Sequence, residues 1–334
     1  MTHAQLQGAL CGLLVGDALG VPYEFTPPEK LPPREQLEMT PPPNWPRAHF
    51  VPDGTWSDDG ACALALLDSL LDCDGLDAHD LAQKLASWQF EGAYAVDAHV
   101  FDIGITTSAA IRRFRSGTKA EEAGPDDDNS NGNGSLMRVL SLVLWHRGPD
   151  FELARDAMRQ SLVTHGHLRS QLCCALFCLW ARRIGEGAQS ETAWTSAAES
   201  LDEFLPELCF GATTKGVKEG FEGLSNDTIA LFAIDNWLEE LEWHIRPDDD
   251  LRGRGSGYVV DCLRSVRDAR REDTFEDVVK YAVSLGHDTD TTACIAGGLA
   301  GLRDGFDAIP ARWMDELRGK EIAARLVERL ISDV

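Results

Sequence analysis

From Ala293 to Leu302 the chain reads as an unbroken run of small and aliphatic residues after two Asp–Thr steps, and it contains Gly297, Gly298 and Gly301. The apolar content and length specify a buried helix. An interior glycine costs a helix about 1 kcal/mol relative to alanine, so three of them require a tertiary reason. Close packing against neighbouring helices supplies one, and it would also fix the start of this helix rigidly. At that start stand Asp288, Asp290 and Thr291. These are hard oxygen donors of the kind that suit Mg²⁺, Mn²⁺ or Ca²⁺. Helix capping is the competing reading, because Asp and Thr are both favoured there.

A second helix start repeats the pattern. Gly54-Thr55-Trp56-Ser57-Asp58-Asp59-Gly60 leads into the apolar stretch Ala61 to Leu71. If the fold joins the two starts, Asp58, Asp59, Asp288 and Asp290 supply four carboxylates, and Ser57 and Thr291 add a hydroxyl from each side. Four close carboxylates repel one another without a cation. The count is that of a site for two divalent ions about 3.5–4 Å apart.

The remaining periodicity predicts an all-α protein, read as a single domain over residues 1–334. Leu6, Ala9, Leu10, Leu13 and Leu14 form a helical stripe. Further helices are expected near 77–90, 104–116, 135–147, 151–163, 168–185, 191–201, 226–241, 257–271, 274–285, 290–304 and 320–332, and period-2 strand patterns are almost absent. Residues 21–53 hold ten of the fifteen prolines. A loop of this length is more often functional than idle, and a lid over a site is the natural expectation. Gly- and Asp-rich loops occupy 117–133 and 246–257.

The chain carries 31 Lys and Arg against 55 Asp and Glu, a net charge of −24. That balance disfavours nucleic acid and anionic membrane surfaces as partners. Nine cysteines with no C-x-x-C pair suggest neither a disulfide framework nor a zinc site. Without a basic leader or an uninterrupted apolar span of about 18 residues, no membrane segment is expected. The expected location is cytoplasmic.

Three smaller features could contribute to chemistry. Asn131-Gly132-Asn133-Gly134-Ser135-Leu136-Met137-Arg138 precedes an apolar stretch, and a helix beginning there would offer backbone N–H groups to a phosphate. A turn with an N-cap explains the same residues. Asp102 lies between Phe101 and Ile103, either as a cap or as a carboxylate aimed at a ligand. His165 and His167 fall between two expected helices, where a histidine is usually solvent-facing.

Taken in order, these segments resemble the ADP-ribosylglycohydrolase family, which includes the dinitrogenase reductase-activating glycohydrolases. The resemblance is carried by Leu13 to Phe25, Trp56-Ser57-Asp58-Asp59, Asp102-Ile103-Gly104, Gly132 to Arg138, Thr164-His165, Ser256 to Val260 and Gly286 to Gly301. It implies a helical fold with a binuclear Mg²⁺ or Mn²⁺ centre in a cleft, held by Ser57, Asp58, Asp59, Asp288, Asp290 and Thr291. It implies a catalytic role for Glu24 and Asp102. It places Asn133, Gly134, Ser135, His165, Gly257 and Tyr258 around the ADP-ribose. The implied substrate is an ADP-ribosylated protein, most closely an arginine linkage, with ADP-ribose as product. Hydrolysis at C1″ would use a water oriented by the two metals.

Three positions depart from the family pattern: Ser57 replaces a more usual Thr, Gly60 stands where Thr is common, and His287 where Gly is common. None removes a carboxylate. Serine-linked ADP-ribose or O-acetyl-ADP-ribose are alternative substrates, and a non-catalytic binder or immunity protein is an alternative class. A prenyl-synthase reading fails because Asp58-Asp59 is followed by Gly60-Ala61-Cys62, without the third Asp of D-D-x-x-D.

Overall fold

Four glycines on the first helix, spaced every four residues, meet the glycine-rich helix near the other end of the chain. Helix α1 (His3–Gly20) and helix α11 (Thr289–Asp304) form the most extensive helix pairing among the described residues. A Cβ on Gly8 would stand 2.5 Å from the Gly301 carbonyl oxygen, and one on Gly12 would stand 2.5 Å from that of Gly297. A Cβ on Gly16 would lie 2.0 Å from the carbonyl oxygen of Ala293, and one on Gly20 would lie 2.4 Å from Cα of Asp290. No side chain fits at these positions, so the two backbones touch along the whole of α1. This is the tertiary reason that the glycines of α11 demanded.

The computed structural model describes residues 1–213 and 234–332. Between the central pair come α2 (Asp58–Cys73), α3 (Ala78–Glu91), α4 (Ile105–Arg115), α5 (Leu140–Trp145), α6 (Asp150–Leu162), α7 (Leu168–Gly185), α8 (Ser190–Thr213), α9 (Val259–Ala269) and α10 (Phe275–Ser284). After α11 follow α12 (Ala311–Glu316) and α13 (Lys320–Ser332). Among the described residues there is no strand, only an isolated bridge between Gly132 and Tyr258. One apolar cluster runs from Leu6 to Leu330, with Trp56, Trp88, Trp180 and Trp313 almost wholly inside it. α1 is long and apolar enough to cross a membrane by length and composition, but 78% of that stretch is buried inside the protein.

Several expectations need correction. The helix expected at 135–147 begins only at Leu140. The Arg138 guanidinium takes the Gly134 carbonyl, which a regular helix would give to the Arg138 N–H, and residues 134–139 wind as successive turns. The helix expected at 191–201 runs on to Thr213, with Pro206 inside it. The expected helix 226–241 lies outside the described residues up to 233. Beyond that point the chain is helical and closes in a π-helix at Glu240–Ile245. α12 was not foreseen. The Pro-rich segment 21–53 carries three short 3₁₀ turns, at Val21–Tyr23, Pro28–Lys30 and Arg34–Gln36.

Candidate active site

The glycine contact brings the C-terminus of α1 against the N-terminus of α11. The Thr289 hydroxyl donates to the Gly20 carbonyl at 2.8 Å. Asp17, on the last turn of α1, then reaches the start of α2. Its carboxylate accepts from the Ser57 N–H at 2.9 Å and the Gly60 N–H at 2.8 Å. Asp17 thereby caps α2 from another helix and fixes the Ser57-Asp58-Asp59 turn. Gly60 has no room for a side chain, since a Cβ would stand 2.7 Å from Leu14 and 2.9 Å from the Trp56 ring.

The two acidic helix starts do meet. Ser57 Oγ donates to Asp59 Oδ2 at 3.0 Å, and Thr291 Oγ1 reaches the same oxygen at 3.3 Å. Carboxylate oxygens of Asp17, Asp59 and Asp290 lie within 4.8 Å of one another, as do those of Glu24, Asp288 and Asp290. Asp58 is buried and faces the charges of Asp102, Asp17, Glu24 and Asp288. All six residues of the expected metal set are therefore at one place.

Two further acids and a histidine complete the group. Glu24, just past the first 3₁₀ turn, is buried, and its Oε2 lies 2.6 Å from His49 Nε2. Asp102 Oδ1 lies 3.5 Å from the same nitrogen. Sequence reasoning missed both His49 and Asp17. The segment carrying Glu24 is pinned to the α11 start by two backbone bonds, Phe25 N–H to the His287 carbonyl (2.6 Å) and His287 N–H to the Thr26 carbonyl (2.8 Å). His287 itself is exposed and has φ +60°, the left-handed region where Gly is the usual residue. Its unusual identity falls on a backbone clamp.

On the far side, Asn133 Nδ2 donates to Asp288 Oδ2 at 2.7 Å. Asn133 N–H bonds the Gly257 carbonyl at 3.1 Å, and a Cβ on Gly257 would stand 3.1 Å from Asp288 Oδ2. His165 packs against Gly132 and Gly134, where a Cβ would lie 3.4 Å and 3.3 Å from Nε2. The Thr164 hydroxyl accepts from Arg138 (2.8 Å) and lies 2.9 Å from His165 Nδ1. Burial, then the Arg138 charge, push His165 down to about 3, so it is neutral at pH 7. Ser135 is different: its hydroxyl accepts from Ser161 at 2.9 Å in the core beneath the loop. The Tyr258 hydroxyl accepts from Arg169, which is paired with Glu240. His167 contacts Asp128 at 3.2 Å.

The electrostatics demand a counter-charge. Burial raises Asp17 to about 7 and Glu24 to about 7. Burial and then neighbouring carboxylates push Asp58, Asp59 and Asp290 well above the usual range. Asp59 Oδ1 and Asp290 Oδ2 are buried with no hydrogen-bond partner. An orphaned buried carboxylate oxygen costs several kcal/mol unless a cation or proton takes it. An oxygen-only donor set that includes two orphaned buried oxygens fits a hard divalent cation.

The fold and this acidic centre define an all-α protein with an oxygen-donor site where two helix starts meet. The chain belongs to the ADP-ribosylglycohydrolase family, whose model matches residues 2–334. It is 27% identical to an ADP-ribosylarginine hydrolase, Tri1, of Serratia proteamaculans, over 97% of this chain and 78% of that protein. To the ADP-ribosyl-[dinitrogen reductase] glycohydrolase of Rhodospirillum rubrum it is 28% identical, over 94% and 90% of the two chains. An ADP-ribosylhydrolase, ARH3, of Danio rerio is 25% identical over 99% of this chain and 90% of its own. A solved ADP-ribosylglycohydrolase-related protein complex contains a chain similar at TM-score 0.70 and 28% identity, with 99% and 98% coverage.

Proposed function

We propose that the protein removes ADP-ribose from a modified protein side chain, with mono-ADP-ribosylated arginine as the preferred linkage. The observation that carries this reading is the convergence of Glu24, Asp59, Asp102, Asp288 and Asp290, from four segments of the chain, on one acidic centre. Asp59 and Asp290, with Asp58, Asp288, Ser57 and Thr291, would hold two divalent cations, Mg²⁺ or Mn²⁺. Such cations supply Lewis acidity, polarising ribose hydroxyls and drawing the pKa of a water towards neutrality.

The protein's own residues then have separate tasks. Asn133 holds Asp288 in place, and Gly257 leaves space beside it. Neutral His165 and the backbone of Gly132 to Gly134 are suited to the phosphate and ribose oxygens of ADP-ribose. Glu24, raised to about 7, can hold or release a proton near neutral pH, as a general acid–base group needs. Asp102 lies at the outer edge of the group, half-buried, where it can pair with the departing guanidinium. The names of the relatives from Serratia and Rhodospirillum support a protein-linked substrate, and the former an arginine linkage. Nine free thiols, eight of them buried, suit a reducing compartment, and the cytoplasm is part of the proposal.

The test presents arginine-, serine- and acetyl-linked ADP-ribose at equal concentration with Mg²⁺ or Mn²⁺ and measures release of ADP-ribose. The arginine linkage should give the highest kcat/KM. A faster serine-linked reaction overturns the acceptor, and no release from any linkage, with ADP-ribose still bound, favours the binder class.

A further inference from the structure

His49 belongs to none of the motifs that mark this family in the sequence, yet its Nε2 lies within reach of both candidate acid–base carboxylates. We propose that His49 is a positioning residue: its Nε2–H holds Glu24 and Asp102 together as a pair at the edge of the acidic centre. The inference rests on the hydrolase reading above.

The geometry is specific. His49 Nε2 is 2.6 Å from Glu24 Oε2 and 3.5 Å from Asp102 Oδ1, and these three ligand-bearing groups come from well-separated parts of the sequence. The ring is fixed from two sides, by Phe25 at 5.9 Å and Phe101 at 5.2 Å between centroids. The residue after Glu24 and Asp102 itself both have left-handed backbones without being glycine: φ is +58° at Phe25 and +54° at Asp102. Such conformations cost of order 1–3 kcal/mol and persist where surrounding contacts over-determine them. His49 supplies a contact common to both. Glu24 and Asp102 also both face the charge of Asp288. Without a shared donor, mutual repulsion drives the two carboxylates apart, and Asp102 is the one with room to leave, because Glu24 is nearly buried. The Pro-rich segment therefore carries the group that sets the spacing of the pair.

Three substitutions separate the donor from the ring. H49Q keeps an N–H near the place of Nε2, H49F keeps the aromatic packing without a donor, and H49A removes both. With Mg²⁺-loaded protein and an ADP-ribosyl-arginine substrate, H49F and H49A should lose about tenfold or more in kcat, while KM stays within about twofold. H49Q should recover most of kcat. Wild-type kcat in H49F, or a loss in H49Q as deep as in H49F, overturns the proposal. Crystal structures of wild type and H49F read the positioning directly: the Glu24 and Asp102 carboxylates should separate in H49F. Unchanged carboxylate positions overturn the proposal whatever the kinetics. A wild type that releases no ADP-ribose overturns the hydrolase reading instead, and the two crystal structures then decide the role of His49.

Discussion

Asn133 and Asp288 are 155 residues apart in the chain, and their side chains are 2.7 Å apart in the fold. The amide donates to the acid, so the glycine-rich loop of one segment is tied to the acidic helix start of another. A neutral partner at this place orients Asp288 without competing for a cation. N133D would set a second carboxylate against the first. It should raise the cation concentration needed for half-maximal activity, whereas N133A should lower kcat/KM by about tenfold, the worth of one charge-assisted hydrogen bond. Metal titrations of activity for both variants check this, and an unchanged titration in N133D would count against the tie.

The orphaned oxygens on Asp59 and Asp290 give a prediction with two opposed signs. In metal-free protein, D290N removes one of several mutually repelling buried charges, so its melting temperature should rise. The same variant should lose the stabilisation that Mg²⁺ gives the wild type, and its activity should fall below detection. Differential scanning calorimetry with and without metal reads both signs in one experiment. A variant that melts lower in the absence of metal would contradict the repulsion argument.

A pH dependence follows from the raised carboxylates. Asp17 and Glu24 each rise to about 7 in the folded protein through burial, above the ordinary carboxylate value near 4. The folded state then binds more protons than the unfolded one, so these groups favour folding at low pH. That contribution is fully present below about pH 4 and is lost as pH rises through about 7. Metal-free protein should therefore lose stability between about pH 5 and 8, and saturating Mg²⁺ should flatten the slope by taking the place of the protons. Thermal melts across that range, with and without cation, test the sign.

The contact between α1 and α11 is intolerant of added volume. A methyl on Gly12 would sit 2.5 Å from the carbonyl oxygen of Gly297, which is backbone and cannot swing aside, and 2.9 Å from the Phe275 ring. G12A should cost about 1–3 kcal/mol, as overpacking does, and should also weaken cation binding by shifting the Asp290 turn. Urea unfolding gives the first quantity and calorimetric titration with Mn²⁺ the second. A G12A protein as stable as wild type would mean that the helices part without penalty.

Much of this centre was legible because its residues stand in short motifs at helix starts. Ser57-Asp58-Asp59 and Asp288-Thr289-Asp290-Thr291 announced themselves as oxygen donors, and the structure unites them. Family membership was legible for the same reason, from motifs in one order. The glycine pattern was half read. Gly297, Gly298 and Gly301 prompted the expectation of a close neighbour, but Gly8, Gly12, Gly16 and Gly20, at intervals of four, were overlooked beside the leucine stripe. Asp17 was hidden by its place at the end of a buried helix, since its partners on α2 are about 40 residues away. His49 was not legible at all, because a proline-rich segment has no periodicity that tells which way a side chain points. The helix expected from Ser135 failed for a related reason: the competing bond comes from a guanidinium whose burial depends on Gln160 and Thr164 in other elements.

The pairing of the first helix with a helix 269 residues further on has a consequence for how the protein is made. Synthesis proceeds from the N-terminus at about 5–20 residues per second, so α1 leaves the ribosome tens of seconds before its partner exists. During that interval its bare glycine face and apolar flanks have no surface to meet. Every acidic group contributed by residues 17 to 59 is equally idle, because the other half of the centre is encoded more than two hundred residues later. Premature termination upstream of α11 therefore yields a chain without activity and with its central helix unsheltered, a natural client for chaperones and proteases.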